Sequence, residues 1–222
     1  MKIIPQSKFW NNKKVIREFT SYRAPEYWQK FLGKFKNTAK IRLLDLGCGG
    51  GRNSELAARM GFDVYACDLH INMVRATRLI LNKYFSSTRL AKKVRRADFQ
   101  RLPYKSKFFR ILVASGVLHN ANTYQKFARG VKEISRVLED GGCLCLNVFY
   151  LRKPDPAMRQ SKKTGFVFYT DLGLPMVLLP QEKIMEILRK FKLVPLRKPA
   201  TYESRVNTGI RHVLRGIFKK TA

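Results

Sequence analysis

The sequence predicts a doubly wound α/β domain, with seven strands in the order 3-2-1-4-5-7-6, only strand 7 antiparallel, and helices on both faces of the sheet. Three observations predict it. Short apolar runs alternate with helix-period stretches between residues 41 and 149. The first run breaks into Gly47, Gly49, Gly50 and Gly51, and a helical pattern opens at Arg52. The chain closes on two apolar runs that read as a hairpin. At 222 residues it suits one domain able to bury a core without disulfides.

Residues 1–38 read as a helical cap, with aromatic-rich helical stretches at 15–22 and 27–35 split by Ala24-Pro25. Phe19, Tyr22, Tyr27, Trp28 and Phe31 stand either to close over a ligand or to pack these helices on the sheet. The core spans residues 40–150. Its first strand holds Ile41, Leu43, Leu44 and Leu46, and the helix after the glycines carries Leu56, Ala57, Ala58 and Met60. Residues 63–67 (DVYAC) form the second strand, ending at Asp68. A short third strand precedes Ala97-Asp98-Phe99, and residues 109–115 (FRILVAS) form the fourth. A helix over 124–138 places Phe127, Val131, Ile134 and Leu138 on one face and stops at Gly141-Gly142. Residues 143–149 (CLCLNVF) form the fifth strand.

Residues 150–180 form an insertion rich in proline and glycine, with a strand-like stretch at 166–169. It falls at the carboxyl ends of the strands, where a doubly wound sheet builds its substrate pocket. A helix at 181–191 and a hairpin of 192–196 with 213–218 close the chain. Ile210, Val213, Leu214, Ile217 and Phe218 also fit a helical stripe, and Gly216 favours the strand.

The strand–glycine–helix junction brings bare backbone and a helix N-terminus against a ligand, because glycine has no Cβ to hold the ligand off. Asp68, at the end of the next strand, is placed to accept hydrogen bonds from a ribose diol. A nucleotide-type cofactor follows. A dinucleotide fingerprint requires G-x-G-x-x-G, and the third glycine would fall at Arg52. The pattern present is D-x-G-x-G-x-G, at Asp45, Gly47, Gly49 and Gly51.

That pattern resembles motif I of the class I S-adenosylmethionine (SAM) methyltransferases, a Rossmann-like family. The run from Glu133 to Gly142 (E-I-x-R-V-L-x-x-G-G) looks like their type 11 group. The resemblance covers roughly residues 40 to 150. It implies SAM as cofactor, with Gly47, Gly49 and Gly51 along its methionine half, Asp68 at the ribose and Asp98 with Phe99 at the adenine; Asp45, Cys48, Leu69 and Ser115 complete the cofactor-binding set. The chain departs from the family at Arg110, where Asp is common after Phe, and at Asp140, where Pro is common. Arg110 leaves a cation near the cofactor edge of the sheet. The resemblance also favours the closing hairpin.

The methyl of a sulfonium is transferred largely by the cofactor's own reactivity, so alignment and desolvation suffice, with a base where the acceptor needs one. No triad is visible. His119, just after the fourth strand, is the candidate base; its alternative is a packing role. Asn120, Tyr124, Tyr150 and Tyr169 are further pocket candidates. The three histidines, His70, His119 and His212, are scattered, and Cys48, Cys67, Cys143 and Cys145 sit in or beside predicted core strands, so no metal site is expected. The thiols read as small buried hydrophobes in a reducing compartment. No run reaches the roughly eighteen apolar residues of a membrane span, and MKIIPQSKFW is too short in apolar residues for a signal peptide, so a cytoplasmic protein is expected.

The net charge is +30, from 45 Lys and Arg against 15 Asp and Glu. Between Asp68 and Asp98 there is no acid, while Arg75, Arg78, Lys83, Arg89, Lys92, Lys93, Arg95 and Arg96 accumulate. Such a field favours polyanions such as RNA; the alternative is a solvated basic surface. The first functional reading is methyl transfer to O or N of a small or medium metabolite. The second is an RNA methyltransferase, since residues 118–149 resemble the tRNA wobble-uridine methyltransferases. A third is metalloid methylation, from the Gly-Arg-Asn-Ser run at 51–54 shared with tellurite-resistance methyltransferases. A SAM- or RNA-binding scaffold without catalysis is the reading from another class.

Overall fold

Leu43, Leu44 and Leu46 are buried on both faces of a five-residue strand, as befits the centre of a parallel sheet covered on both sides. The computed structural model describes residues 5–153, 155–206 and 209–222; residues 1–4 of the expected cap and Pro154 of the insertion lie outside them. Three helices come first: α1 (Gln6–Trp10), α2 (Lys13–Ser21) and α3 (Glu26–Leu32). The core follows as β1 (Arg42–Leu46), α4 (Arg52–Arg59), β2 (Asp63–Asp68), α5 (Ile71–Leu81), α6 (Ser87–Lys93), β3 (Val94–Arg96), β4 (Phe109–Ser115), α7 (Tyr124–Val137) and β5 (Leu138–Tyr150). The insertion holds β6 (Arg159–Gln160), β7 (Val167–Tyr169) and β8 (Pro175–Val177), which pair as a small antiparallel sheet. The chain closes with α8 (Gln181–Lys190), β9 (Leu193–Pro195), β10 (Ala200–Val206) and β11 (Gly209–Lys220).

The main sheet runs β10-β11-β5-β4-β1-β2-β3, with β9 also paired to β11. β11 is antiparallel to β5 and to both β9 and β10, so it alone runs against the sheet. The expected order therefore holds, with eight strands in place of seven. The extra strand is β10, which shares the outer edge of β11 with β9. The last apolar run is strand, not helix, and is twelve residues long because its first half pairs with β10 and its second with β9.

Two core layers sandwich the sheet. On β5, Leu144, Leu146 and Val148 face the layer built on α7 and α8. Cys143 and Cys145 face the layer that holds Trp28 of α3, Leu56 of α4, Val74 and Leu81 of α5 and Leu90 of α6. All four thiols are buried and unbridged among the described residues. α7 ends at Val137, and Leu138 is already extended. The Gly141-Gly142 signal thus lies inside β5, where the pairing to β4 jumps from Phe109–Leu138 to Ile111–Cys143 and Gly141 takes φ 76° in the bulge. Arg110 is exposed near the start of β4, while Ser115 marks the opposite end. The cation expected near the cofactor edge is at the far end of its strand.

Candidate active site

The carboxyl ends of β1, β2, β4 and β5 open into a cavity of about 510 Å³, closed by α1, α2, the insertion and β10. This is the crevice position for ligands of doubly wound sheets. Its floor is the glycine loop. Gly47, Gly49 and Gly51 have φ of 66°, 53° and 86°, a region other residues reach only with strain. The Gly47 and Cys48 N–H groups donate to Cys67 O (2.8 and 3.0 Å), and the Gly49 N–H donates to Asp68 Oδ2 (3.0 Å). The other Asp68 oxygen accepts the His70 N–H (2.8 Å). Each oxygen keeps a further lone pair for a ligand hydroxyl. Burial pushes the Asp68 pKa up, against the hydrogen bonds that favour its charged form.

Asp45 lies fully buried under the loop, where its Oδ2 accepts the Ser54 hydroxyl (2.6 Å) and so fixes the first turn of α4. Burial raises its pKa to about 6. Asn53 Oδ1 and Ser115 Oγ are buried without a partner among the described residues, and both residues line the cavity. Arg52 opens α4 in the cavity wall, its guanidinium 5.6 Å from the centre of the Tyr22 ring. A bare glycine cradle, a carboxylate with open lone pairs, an arginine and unsatisfied polar atoms fit SAM, whose amino-acid end carries both a carboxylate and an ammonium.

Ala97 and Phe99 line the cavity beyond the ribose position. Asp98, expected against the adenine, is not part of the wall. Its carboxylate accepts the Gln100 N–H (2.9 Å) and the Gln100 side-chain amide (3.2 and 3.1 Å).

The wall also carries Phe9, Trp10, Phe19 and Tyr22 from the amino-terminal helices, with His70, His119, Asn120, Phe149 and Tyr202; Trp10 stacks on His70 next to Asp68, and Phe19 packs on the glycine loop. The His119 ring stacks on Phe149 (centroids 4.0 Å apart) and is 3% exposed. Its Nδ1 accepts the Phe149 N–H (3.2 Å), and burial, aided by the Arg211 charge, lowers its pKa to about 3. A neutral imidazole that accepts at Nδ1 carries its proton on Nε2. The expected base thus has no lone pair for an acceptor's proton; it offers the cavity a donor.

Residues 44–146 match the model of a methyltransferase domain. The core is similar to the methyltransferase domains of that family. A chain from Encephalitozoon cuniculi named as a methyltransferase is 30% identical over 136 residues, covering 60% of this chain and 57% of that one. The uncharacterized methyltransferase YodH of Bacillus subtilis is 27% identical over 130 residues, covering 59% and 52%. The chain thus spans a little over half the length of these curated relatives. A SAM-dependent methyltransferase structure from Methanosarcina mazei superposes with TM-score 0.69 at 16% identity, covering 90% of this chain and 99% of that one. The 1,6-didemethyltoxoflavin N1-methyltransferase of Burkholderia thailandensis gives 0.62 at 16%, covering 96% and 81%; its structure holds S-adenosylhomocysteine. These likenesses establish the fold.

The cavity gathers Gly47, Cys48, Gly49, Asp68, Leu69, Phe99, Ser115 and His119 of the expected site. Gly51 caps α4 just behind the wall. Of the aromatic cap residues, Phe19 and Tyr22 line the cavity, whereas Trp28 and Phe31 are buried in the core. Asn120 is in the wall; Tyr124, Tyr150 and Tyr169 are not. Arg52, Asn53, Gln6 and Tyr202 escaped the sequence reading. For Arg52 the signal was available, since it is the first helical residue after the glycines. Among the described residues no group of His, Cys, Asp and Glu is placed to hold a metal, and no helix is long and apolar enough to cross a membrane.

Proposed function

We propose that the protein transfers the methyl group of SAM to O or N of a small or medium metabolite. The observation that carries this reading is the size and lining of the cavity. Leu174 and Met176 of the insertion and Phe9 and Trp10 of α1 line a cavity of about 510 Å³, which leaves room for a compact acceptor beside the cofactor. SAM supplies the activated methyl. The chain supplies the glycine cradle, Asp68 for the ribose, and Arg52 with Asn53 for the carboxylate and ammonium.

RNA is the second reading, favoured by the net charge of +30 and by a Bos taurus protein bearing a tRNA methyltransferase name, 27% identical over 115 residues but covering 22% of that chain. Against it, much of the basic run has work inside the fold. Arg78 donates to Val94 O (3.0 and 2.6 Å), Arg89 pairs with Asp63 (2.8 Å) and Arg96 donates to Leu69 O (2.9 Å). These bonds tie α5 to β3, α6 to β2, and β3 to the turn after β2. Methyl-labelled SAM offered in parallel to cell RNA and to a metabolite extract tests the choice. Label in small molecules at a rate unchanged between low and physiological salt is expected. Label only in RNA, falling steeply with salt, would reject the metabolite reading.

A further inference from the structure

His119 and Tyr202 reach the cavity with a proton to give and with an accepting atom already in use. His119 Nδ1 accepts the Phe149 N–H (3.2 Å), so the ring proton is on Nε2. The residue is 3% exposed and stands in the wall. Nε2 has no partner among the described residues and is not among the side-chain atoms shut off from solvent, so its N–H opens on the cavity. Tyr202 Oη accepts Asn147 Nδ2 (3.4 Å) and keeps its own hydrogen free to donate. The sheet brings the two together. Tyr202 pairs with Val213, and Val213 with Phe149, so the three side chains share one face. Asn147 shares that face too, about 7 Å along β5 from Phe149. The His119 ring lies on Phe149, centroids 4.0 Å apart, and the Tyr202 side chain crosses β11 to reach Asn147. β5 is three strands from β2 in the sheet, which sets these donors apart from Asp68 and from His70, stacked on Trp10, at the cofactor end.

Resting on the metabolite reading above, we propose that His119 and Tyr202 are specificity residues that bind a carbonyl-type oxygen of the methyl acceptor, the oxygen of a ketone, an amide or a carboxylate. An oxygen with lone pairs and no hydrogen is what two committed donors receive best. An ammonium in the same place would set hydrogen against hydrogen. Phe149, Val213, Leu174 and Met176 give the rest of this part of the wall an apolar surface, so the two hydrogen bonds fix which way the methyl acceptor lies.

The test uses SAM carrying a trideuterated methyl group and a deproteinised whole-cell extract, RNA included, after calorimetry has established SAM binding in the same preparation. Failure to bind SAM, or label in RNA alone, removes the reading on which the proposal rests. With SAM bound, the expected labelled small molecule bears a carbonyl or carboxylate oxygen, and its fragmentation and infrared spectra tell the two apart. A labelled molecule with neither, such as a simple amine, alcohol or thiol, overturns the proposal, as does a protein that binds SAM and labels nothing in the extract. With the methyl acceptor known, His119→Phe, which keeps an aromatic ring on Phe149, and Tyr202→Phe should each raise its KM about threefold to tenfold at unchanged SAM affinity, the scale of a hydrogen bond between neutral groups. His119→Gln should stay close to the natural protein, since its amide can accept the Phe149 N–H and still donate. If His119→Phe does not fold, Tyr202→Phe, which loses a single oxygen, carries the test. An unchanged KM in the phenylalanine variants, or a rise in His119→Gln as large as in His119→Phe, would overturn the proposal.

Discussion

Replacing Asp68 by alanine probes the cofactor end at its most connected residue. Its two oxygens already accept the Gly49 and His70 N–H groups at 3.0 and 2.8 Å, and the remaining lone pairs are those assigned to the ribose diol. Hydrogen bonds to a charged group contribute about 1.5–3 kcal/mol each, so losing two should weaken SAM binding by at least about tenfold and by up to several hundredfold. The substitution also strips the Gly49 N–H of its acceptor, which costs about 1–3 kcal/mol of stability and loosens the loop. The two effects separate with a ligand that lacks one ribose hydroxyl. In calorimetry, 2′-deoxy-S-adenosylhomocysteine should bind the natural protein less tightly than S-adenosylhomocysteine and bind Asp68→Ala with no comparable further loss. An unchanged affinity in a folded Asp68→Ala, or losses that simply add, would refute the ribose assignment.

Arg52→Gln should lower SAM affinity by about tenfold or more while decarboxylated SAM binds both proteins alike, as read by calorimetry; equal losses for both ligands would show that Arg52 does not hold the carboxylate. Gly50→Ala places a Cβ 2.3 Å from the Phe19 backbone, so α2 must lift from the glycine loop; limited proteolysis should then cut the amino-terminal helices faster, and an unchanged pattern would contradict this packing. His119 has its folded pKa lowered to about 3 from an ordinary 6.5, so its contribution to stability is complete above pH 6.5 and is lost as the pH falls towards 3. At pH 5 that loss is about 2 kcal/mol, and denaturant titrations should show His119→Gln losing less between pH 7 and 5 than the natural protein. In turnover, the same variant should lose less than the ~10²-fold of a missing general base, since glutamine can still accept the Phe149 N–H; a larger loss at full SAM affinity would restore the base reading.

The parts of the fold that the sequence announces are those whose burial imposes a period. β4 runs over residues 109–115 as read, and α7 starts at Tyr124 as read, because both put apolar side chains into the two core layers. β10 went unread because it is an edge strand. Only Tyr202, Ser204 and Val206 are half-buried, and Thr201, Glu203 and Arg205 face solvent, so no apolar alternation marks it. The glycine pair at 141–142 was legible as a break but not as a bulge, since a helix stop and a bulge ask the same of the backbone. At the site, the glycine loop and Asp68 are local in sequence, and the structure sets both in the cavity wall. Gln6 and Asn120 meet across 114 residues, and no sequence spacing records that meeting. His119 lines the cavity, but its chemistry depends on which ring nitrogen meets the Phe149 N–H, a tertiary fact.

The account rests on the glycine loop holding SAM and not a dinucleotide, and Trp10 in the cavity wall reports on it, since the other tryptophan, Trp28, is fully buried in the core. Titrating the purified protein with SAM and with NADH should give a saturable change in tryptophan emission with SAM, absent in Trp10→Phe, and no saturable binding of NADH by calorimetry. Saturable NADH binding that SAM fails to displace would contradict it.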